Sequence, residues 1–184
     1  MKLKIRQIGD PVLESVAKRV EDPKDKTIQQ LIDSLIDTCR ADIDRTAGLS
    51  APQVGESLAI SVCRRFDLGE NVDNWEAMIN PEIIAESSKL STVWEGCLSI
   101  GVGDKAIYGP VKRPKHVTVR YTDREGQKKE LAASEYFSHV VQHEIDHVNG
   151  ILFLKYVQNP DQNLWLSKDL DKYIDEHGDF PAIA

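Results

Sequence analysis

A chain of 184 residues with 41% apolar composition can bury one sizeable core and is short for two, so a single domain spanning 1–184 is expected. Its formal net charge of −7 disfavours a nucleic-acid groove, which needs clustered Lys and Arg to meet phosphate. Nothing approaches the ~18 consecutive apolar residues of a membrane helix, the basic residues near the start have no apolar segment behind them, and the cysteines (39, 63 and 97) are too few and too unevenly spaced for a disulfide framework, so a cytoplasmic protein with no membrane association is expected.

In chain order, Ile28, Leu31, Ile32, Leu35, Ile36 and Cys39 recur at helical spacing and predict an amphipathic helix over about 26–42 with one buried stripe. Leu58 to Cys63 is a short apolar run between turn signals and reads as a buried strand. Cys39 and Cys63 are then packing residues. Ala77-Met78-Ile79 before Asn80-Pro81 reads as another strand, as does the alternation of Val117, Val119 and Tyr121. The basic run Lys112-Arg113-Pro114-Lys115-His116 reads as a solvated loop. Asp123-Arg124-Glu125-Gly126 predicts a hairpin turn into the strand Gln127 to Ala132.

A helix is predicted from Ser134 and Glu135 to Asn149-Gly150. Ile151 to Val157 is apolar enough for a further strand, and Asp161 to His177 reads as a weaker helix with Leu166, Leu170, Tyr173 and Ile174 inward, ended by Gly178 and Pro181.

The helix around residue 143 carries the chemistry. His143 and His147 are four residues apart, so both imidazoles leave one face and can grip a single divalent ion from a rigid element. Glu144 lies about 100° round the axis, where a carboxylate can act on the attacking water. His139 extends the series by one turn, but three successive turns span about 12 Å, so only adjacent pairs can chelate. A catalytic divalent site takes three protein ligands and leaves a position open, and Cys97, between Gly96 and Leu98, is the candidate from elsewhere. Glu95 beside it is placed to brace a neighbouring cation, and we expect Glu95, Arg113 and Asp146 to form a charge-compensated cluster that orients the ligand loop against the helix.

Three segments carry a family resemblance: Gly48-Leu49-Ser50-Ala51-Pro52-Gln53-Val54-Gly55, Glu95-Gly96-Cys97-Leu98-Ser99, and Gln142 to His147 are similar to the three signature motifs of peptide deformylases, in family order. The similarity extends to Gly9-Asp10-Pro11-Val12-Leu13 and Arg113-Pro114 and covers roughly residues 5 to 157.

The resemblance implies an α+β fold of mixed or antiparallel sheets packed around a central metal-binding helix, with an N-terminal amphipathic helix and a C-terminal helix. It also implies removal of the N-formyl group from the initiator methionine of nascent chains, releasing formate. One divalent ion per chain would be held by Cys97, His143 and His147, ferrous iron natively, with zinc, nickel or cobalt as substitutes. Its partners would be N-formyl-Met nascent peptides and, transiently, the ribosome. Glu144 would be the acid and base, Gln53 and the Leu98 N–H would stabilise the oxyanion, and His139 and Val140 would border the methionine pocket. Gly48 would let the substrate backbone lie close; it also reads as a C-cap for the preceding helix.

Some positions depart from the family pattern. Thr46 stands where a glycine is usual, Ser50 where alanine is common, and Ile100 to Pro110 is longer than in many relatives, with Lys105 a candidate for the substrate-facing basic residue. The competing readings are a zinc endopeptidase, which shares the His-Glu-x-x-His logic but usually takes a carboxylate or histidine as third ligand, and a metal-bearing binding module without turnover.

Overall fold

The computed structural model describes residues 2–43, 45–69 and 73–184. Helix α1 (Lys26–Arg40) begins where the Asp25 carboxylate accepts a hydrogen bond from the Thr27 N–H at 2.7 Å, satisfying one of the first turn's orphan donors. Its buried stripe is the predicted one, Ile28, Ile32, Leu35, Ile36 and Cys39. The strands are β1 (Gly48–Ser50), β2 (Ile60–Arg64), β3 (Trp75–Glu86), β4 (Leu90–Gly96), β5 (Ile107–Pro114), β6 (His116–Thr122) and β7 (Lys128–Ser134). Helix α2 (Glu135–Val148) follows, then the short α3 (Pro160–Asn163), the two-residue β8 (Trp165–Leu166) and α4 (Ser167–His177).

The strands make a five-stranded antiparallel sheet in the order β1-β2-β3-β6-β7 and a three-stranded one in the order β4-β5-β8. The first sheet is covered on both faces. Leu49, Ile60, Val62, Ala77 and Ile79 pack against α1, while Cys63, Met78, Val117, Val119 and Tyr121 pack against Phe137, Val140, Val141 and Ile145 of α2. Strand alternation explains the division, because sequence neighbours such as Val62 and Cys63 point to opposite faces. Ile32 is fully buried in the first layer. Ile32→Ala should lower the free energy of unfolding by about 2–5 kcal/mol, measured as a lower urea midpoint at unchanged slope.

The hairpin between β6 and β7 forms as predicted. Asp123 Oδ1 accepts from the N–H groups of Glu125 (3.0 Å) and Gln127 (2.7 Å), and Gly126 supplies the positive φ of +80°. The strand expected to stop before Asn80-Pro81 instead runs on to Glu86. A register shift between Ile79 and Glu82 accommodates Pro81, and Asn80, at φ +52°, bonds through its side chain to both the N–H and the C=O of Val20.

Two expectations near the C-terminus are corrected. Ile151 to Val157 is not a strand: Phe153–Tyr156 forms a 3-10 turn that buries Phe153 and Val157 against Cys97, Ile100 and Val111. An apolar run this short has no period to separate a strand from a turn packed over a core. The helix predicted from Asp161 to His177 is broken in the middle, where Trp165 and Leu166 pair with Tyr108 and Ile107 as β8. Leu166 is consequently 37% exposed rather than inward, whereas Leu170 is buried as expected, and Gly178 at φ +76° ends the helix. Among the described residues no helix is long and apolar enough to cross a membrane.

Candidate metal centre and active site

Helix α2 lies between the two sheets. Its apolar face meets the five-stranded sheet, and its polar face reaches β4 and β5. That polar face presents His139, His143 and Asp146, while the chain leaving β4 supplies Cys97.

The three predicted ligands converge. One donor atom each from Cys97, His143 and His147 lies within 4.8 Å of the others, and Cys97 Sγ is 3.2 Å from His147 Nε2. Tetrahedral donors around a divalent ion, with metal–sulfur near 2.3 Å and metal–nitrogen near 2.0–2.1 Å, stand about 3.4–3.6 Å apart, so this set suits one ion. Among the described residues His147 Nδ1 is buried without a hydrogen-bond partner. The residues therefore fit the metal that the motif implies.

The ligands are held from behind. His143 Nδ1 is 2.9 Å from Glu95 Oε2, which turns its other nitrogen toward Cys97, and Phe153 stacks along the ring at 6.0 Å. Burial favours a neutral His143, but its hydrogen bonds to Cys97 and Glu95 prevail and hold the imidazole above its ordinary range. His147 is pushed well below that range by burial and by the charge of His143.

Glu95 is in turn clamped by Arg113. Nε donates to Oε1 at 2.7 Å and Nη2 to Oε2 at 3.0 Å, while Nη1 reaches Asp146 Oδ2 at 2.7 Å. Burial opposes ionisation of Glu95, yet its bonds to His139, His143 and Arg113 hold the carboxyl well below the usual range. The expected cluster is present, and it ties β4, β5 and α2 together at one cation.

Glu144 is 4% exposed and lines the same cavity of about 160 Å³ as Cys97, His143 and Gln53. Burial pushes its carboxyl up to about 7, against the pull of His143 and of a hydrogen bond from Ser50. Gly48 opens β1 rather than capping α1, which ends at Arg40. A Cβ there would lie 2.7 Å from Glu144 Cγ and 2.8 Å from Oε1, so the absent side chain makes room for the carboxylate.

Gln53 sits in a 3-10 turn (Ala51–Val54) closed by Gly55 at φ +94°. Its Oε1 accepts from the Ser50 N–H at 2.9 Å, which aims Nε2 at Cys97 Sγ and Ser99 Oγ, each 3.4 Å away. Leu98 also lines the cavity, and Gln7 Nε2 donates to its carbonyl at 2.9 Å, fixing the peptide segment.

His139 and Val140 line the cavity together with Val93 and Tyr136. The His139 ring is fully engaged, Nε2 with Ser91 Oγ at 2.9 Å and Nδ1 with Glu95 Oε1 at 3.3 Å. Sequence reasoning missed the contacts of Ser50 and Ser91 and the position of Tyr108, whose ring occupies the space a Cβ on Gly96 would need. A serine hydroxyl carries no periodic signal, so only distance reveals its partner. Lys105 is exposed on the inserted segment and is not among the residues lining the cavity.

A family model described as polypeptide deformylase matches residues 2–163. The chain is 41% identical over 154 residues to the peptide deformylase of Pseudothermotoga lettingae, covering 84% of this chain and 82% of that protein. It is 39% identical over 166 residues to peptide deformylase 2 of Vibrio cholerae, covering 90% and 92% respectively. The crystal structure of peptide deformylase from Thermotoga maritima superposes with a TM-score of 0.75 at 32% identity, covering 86% of this chain and 99% of that one. Motif order, the meeting of one thiol and two imidazoles, and these similarities over most of the chain lead to one assignment: this protein belongs to the polypeptide deformylases, metal-dependent hydrolases that remove the N-formyl group from nascent polypeptides.

Proposed function

We propose that this chain hydrolyses N-formyl-Met termini of nascent peptides in the cytoplasm, with Cys97, His143 and His147 holding one ferrous ion and Glu144 moving the proton. The observation that carries this reading is the single cavity lined by Glu144, Gln53, His143 and Cys97. A bound divalent ion supplies Lewis acidity, which brings the pKa of water toward about 7 and polarises a carbonyl. Zinc, nickel or cobalt would suit the same donors, since a Cys-His-His set does not discriminate strongly among them.

The remaining steps belong to the chain. Glu144 takes a proton from the attacking water at Oε1, the oxygen on the Gly48 side. Attack on the formyl carbon makes an oxyanion, and Gln53 Nε2 and the Leu98 N–H donate to it. As the C–N bond breaks, Glu144 returns its proton to the departing amine, which leaves neutral, and formate remains. Gln53→Ala should cut kcat about 100- to 1,000-fold with little change in metal content, measured by formate release and metal analysis.

The sheet edges support a peptide substrate. β1 and β4 are each the outermost strand of their sheet and both line the cavity, so an extended chain fits between them with backbone hydrogen bonds on either side. Because both nitrogens of His139 are engaged, that wall presents a flat ring with no free donor, which suits an unbranched thioether. The ribosome would be a transient partner, and the C-terminal helix, where Asp169, Asp171, Asp175 and Glu176 outnumber Lys168 and Lys172, is disfavoured by charge as the surface that meets its RNA.

The test is formate release from a formyl-Met peptide by ferrous-loaded protein, abolished in the Glu144 variant discussed below. Cleavage of internal peptide bonds would favour an endopeptidase, a reading that the thiol ligand disfavours; no turnover of either kind would leave the binding module.

A further inference from the structure

We infer that Ser50 is a positioning residue for the reaction: its hydroxyl holds one oxygen of the Glu144 carboxylate and so leaves the other to exchange the proton with water and amine. This rests on the assignment of Glu144 as the acid and base. The supporting geometry spans two elements. Ser50, the last residue of β1, is fully buried, and its Oγ lies 2.6 Å from Glu144 Oε2 and 2.9 Å from the Glu144 backbone carbonyl.

A single hydroxyl proton serves one acceptor at a time, and an O–H···O⁻ bond of about 2.5–2.7 Å is the stronger choice. With its proton directed to Oε2, Ser50 Oγ fixes the carboxylate relative to β1, on which Ser50 sits. On the other side Gly48, lacking a Cβ, leaves the space beside Oε1 open. Ser50 thus holds Oε2 while Gly48 leaves Oε1 unobstructed.

The consequence is an assignment of oxygens. Donation from Ser50 lowers the basicity of Oε2, so the proton taken from water resides on Oε1. There it remains within reach of the departing amine. Were it to settle on Oε2, it would be buried against the strand and lost to the second half of the reaction. Ser50 touches neither substrate nor metal in this scheme; it acts through Glu144.

The experiment is a double-mutant cycle in the metal-loaded enzyme, with Ser50→Ala made alone and in the Glu144→Gln background. Ser50→Ala alone should lower kcat about tenfold or more, with KM and metal content within twofold of the parent. In the Glu144→Gln background the same substitution should change the residual rate by less than twofold. Ser50→Thr, which keeps the hydroxyl, should recover most of the loss, and a crystal structure of Ser50→Ala should show the Glu144 carboxylate displaced from its parent position. A Ser50→Ala enzyme with kcat within twofold of the parent overturns the proposal and leaves the role of Glu144 standing. Equal losses in both backgrounds also overturn it, because they would mark a packing defect. Full activity in Glu144→Gln removes the role of Glu144 and this proposal with it.

Discussion

Glu144→Gln is expected to reduce kcat for formate release about 100- to 10,000-fold while the protein still binds one metal ion per chain. The substitution changes almost nothing in shape. Glutamine keeps a carbonyl oxygen to accept from Ser50 Oγ, which stands 2.6 Å from the present carboxylate, and it fills the same space beside Gly48. It removes only the capacity to take a proton and return it. Burial of Glu144 argues for the upper part of the range, because the carboxyl is largely shielded from bulk water and is poised near neutrality at about 7. Metal analysis separates this outcome from a ligand defect: Cys97→Ala should lower metal content, and Glu144→Gln should not.

Arg113→Ala should destabilise the protein by about 3–5 kcal/mol and loosen its hold on the metal. Arg113 is 4% exposed and forms a bidentate pair with Glu95 and a single bond to Asp146. Without it the buried Glu95 and the partly buried Asp146 are left with no guanidinium between them. Most of the loss is that uncompensated charge rather than the net worth of the pairs, so Arg113→Met, similar in length and equally uncharged, should not restore stability. Glu95 is also the group that orients His143, at 2.9 Å, so its displacement reaches the ligand set directly. Urea denaturation of the metal-free protein reads the first effect, and metal retention against a chelator reads the second. Unchanged midpoint and unchanged metal content together would show the cluster to be ornamental.

The regular elements were legible wherever the period was long. The α1 stripe from Ile28 to Cys39 was predicted from spacing, because a helix that must bury one face repeats its apolar residues over several turns, and α2 was predicted from its start at Ser134-Glu135 and its stop at Asn149-Gly150. Strand alternation at Val117, Val119 and Tyr121 was equally readable. The run Lys112 to His116, read as a solvated loop, instead belongs to β5 and β6 and buries Arg113, because the carboxylates that pair with it lie far away in sequence. The other misreadings lie where a few apolar residues serve one contact each. Phe153 packs beneath the ligand loop as part of a 3-10 turn, and Trp165 and Leu166 leave the helical path to extend the edge of β5. Those choices depend on what the neighbouring surface lacks, which a local window does not contain.

Taken alone, the chain determined the ligand types and their spacing: two imidazoles one turn apart on a helix, a carboxylate between them, and a thiol between a glycine and a leucine. The helical repeat settles the imidazoles and the carboxylate, while the thiol was a candidate that the family resemblance singled out. Tertiary structure alone decided which oxygen of Glu144 is free, what restrains His143 and why His139 presents a ring with no open donor. Each answer is a contact between residues far apart along the chain, as with Ser50 and Glu144 at a separation of 94 positions. Such contacts depend on how two sheets close around one helix, and hydrogen bonds at 2.6 to 3.3 Å respond to shifts that no residue pattern encodes.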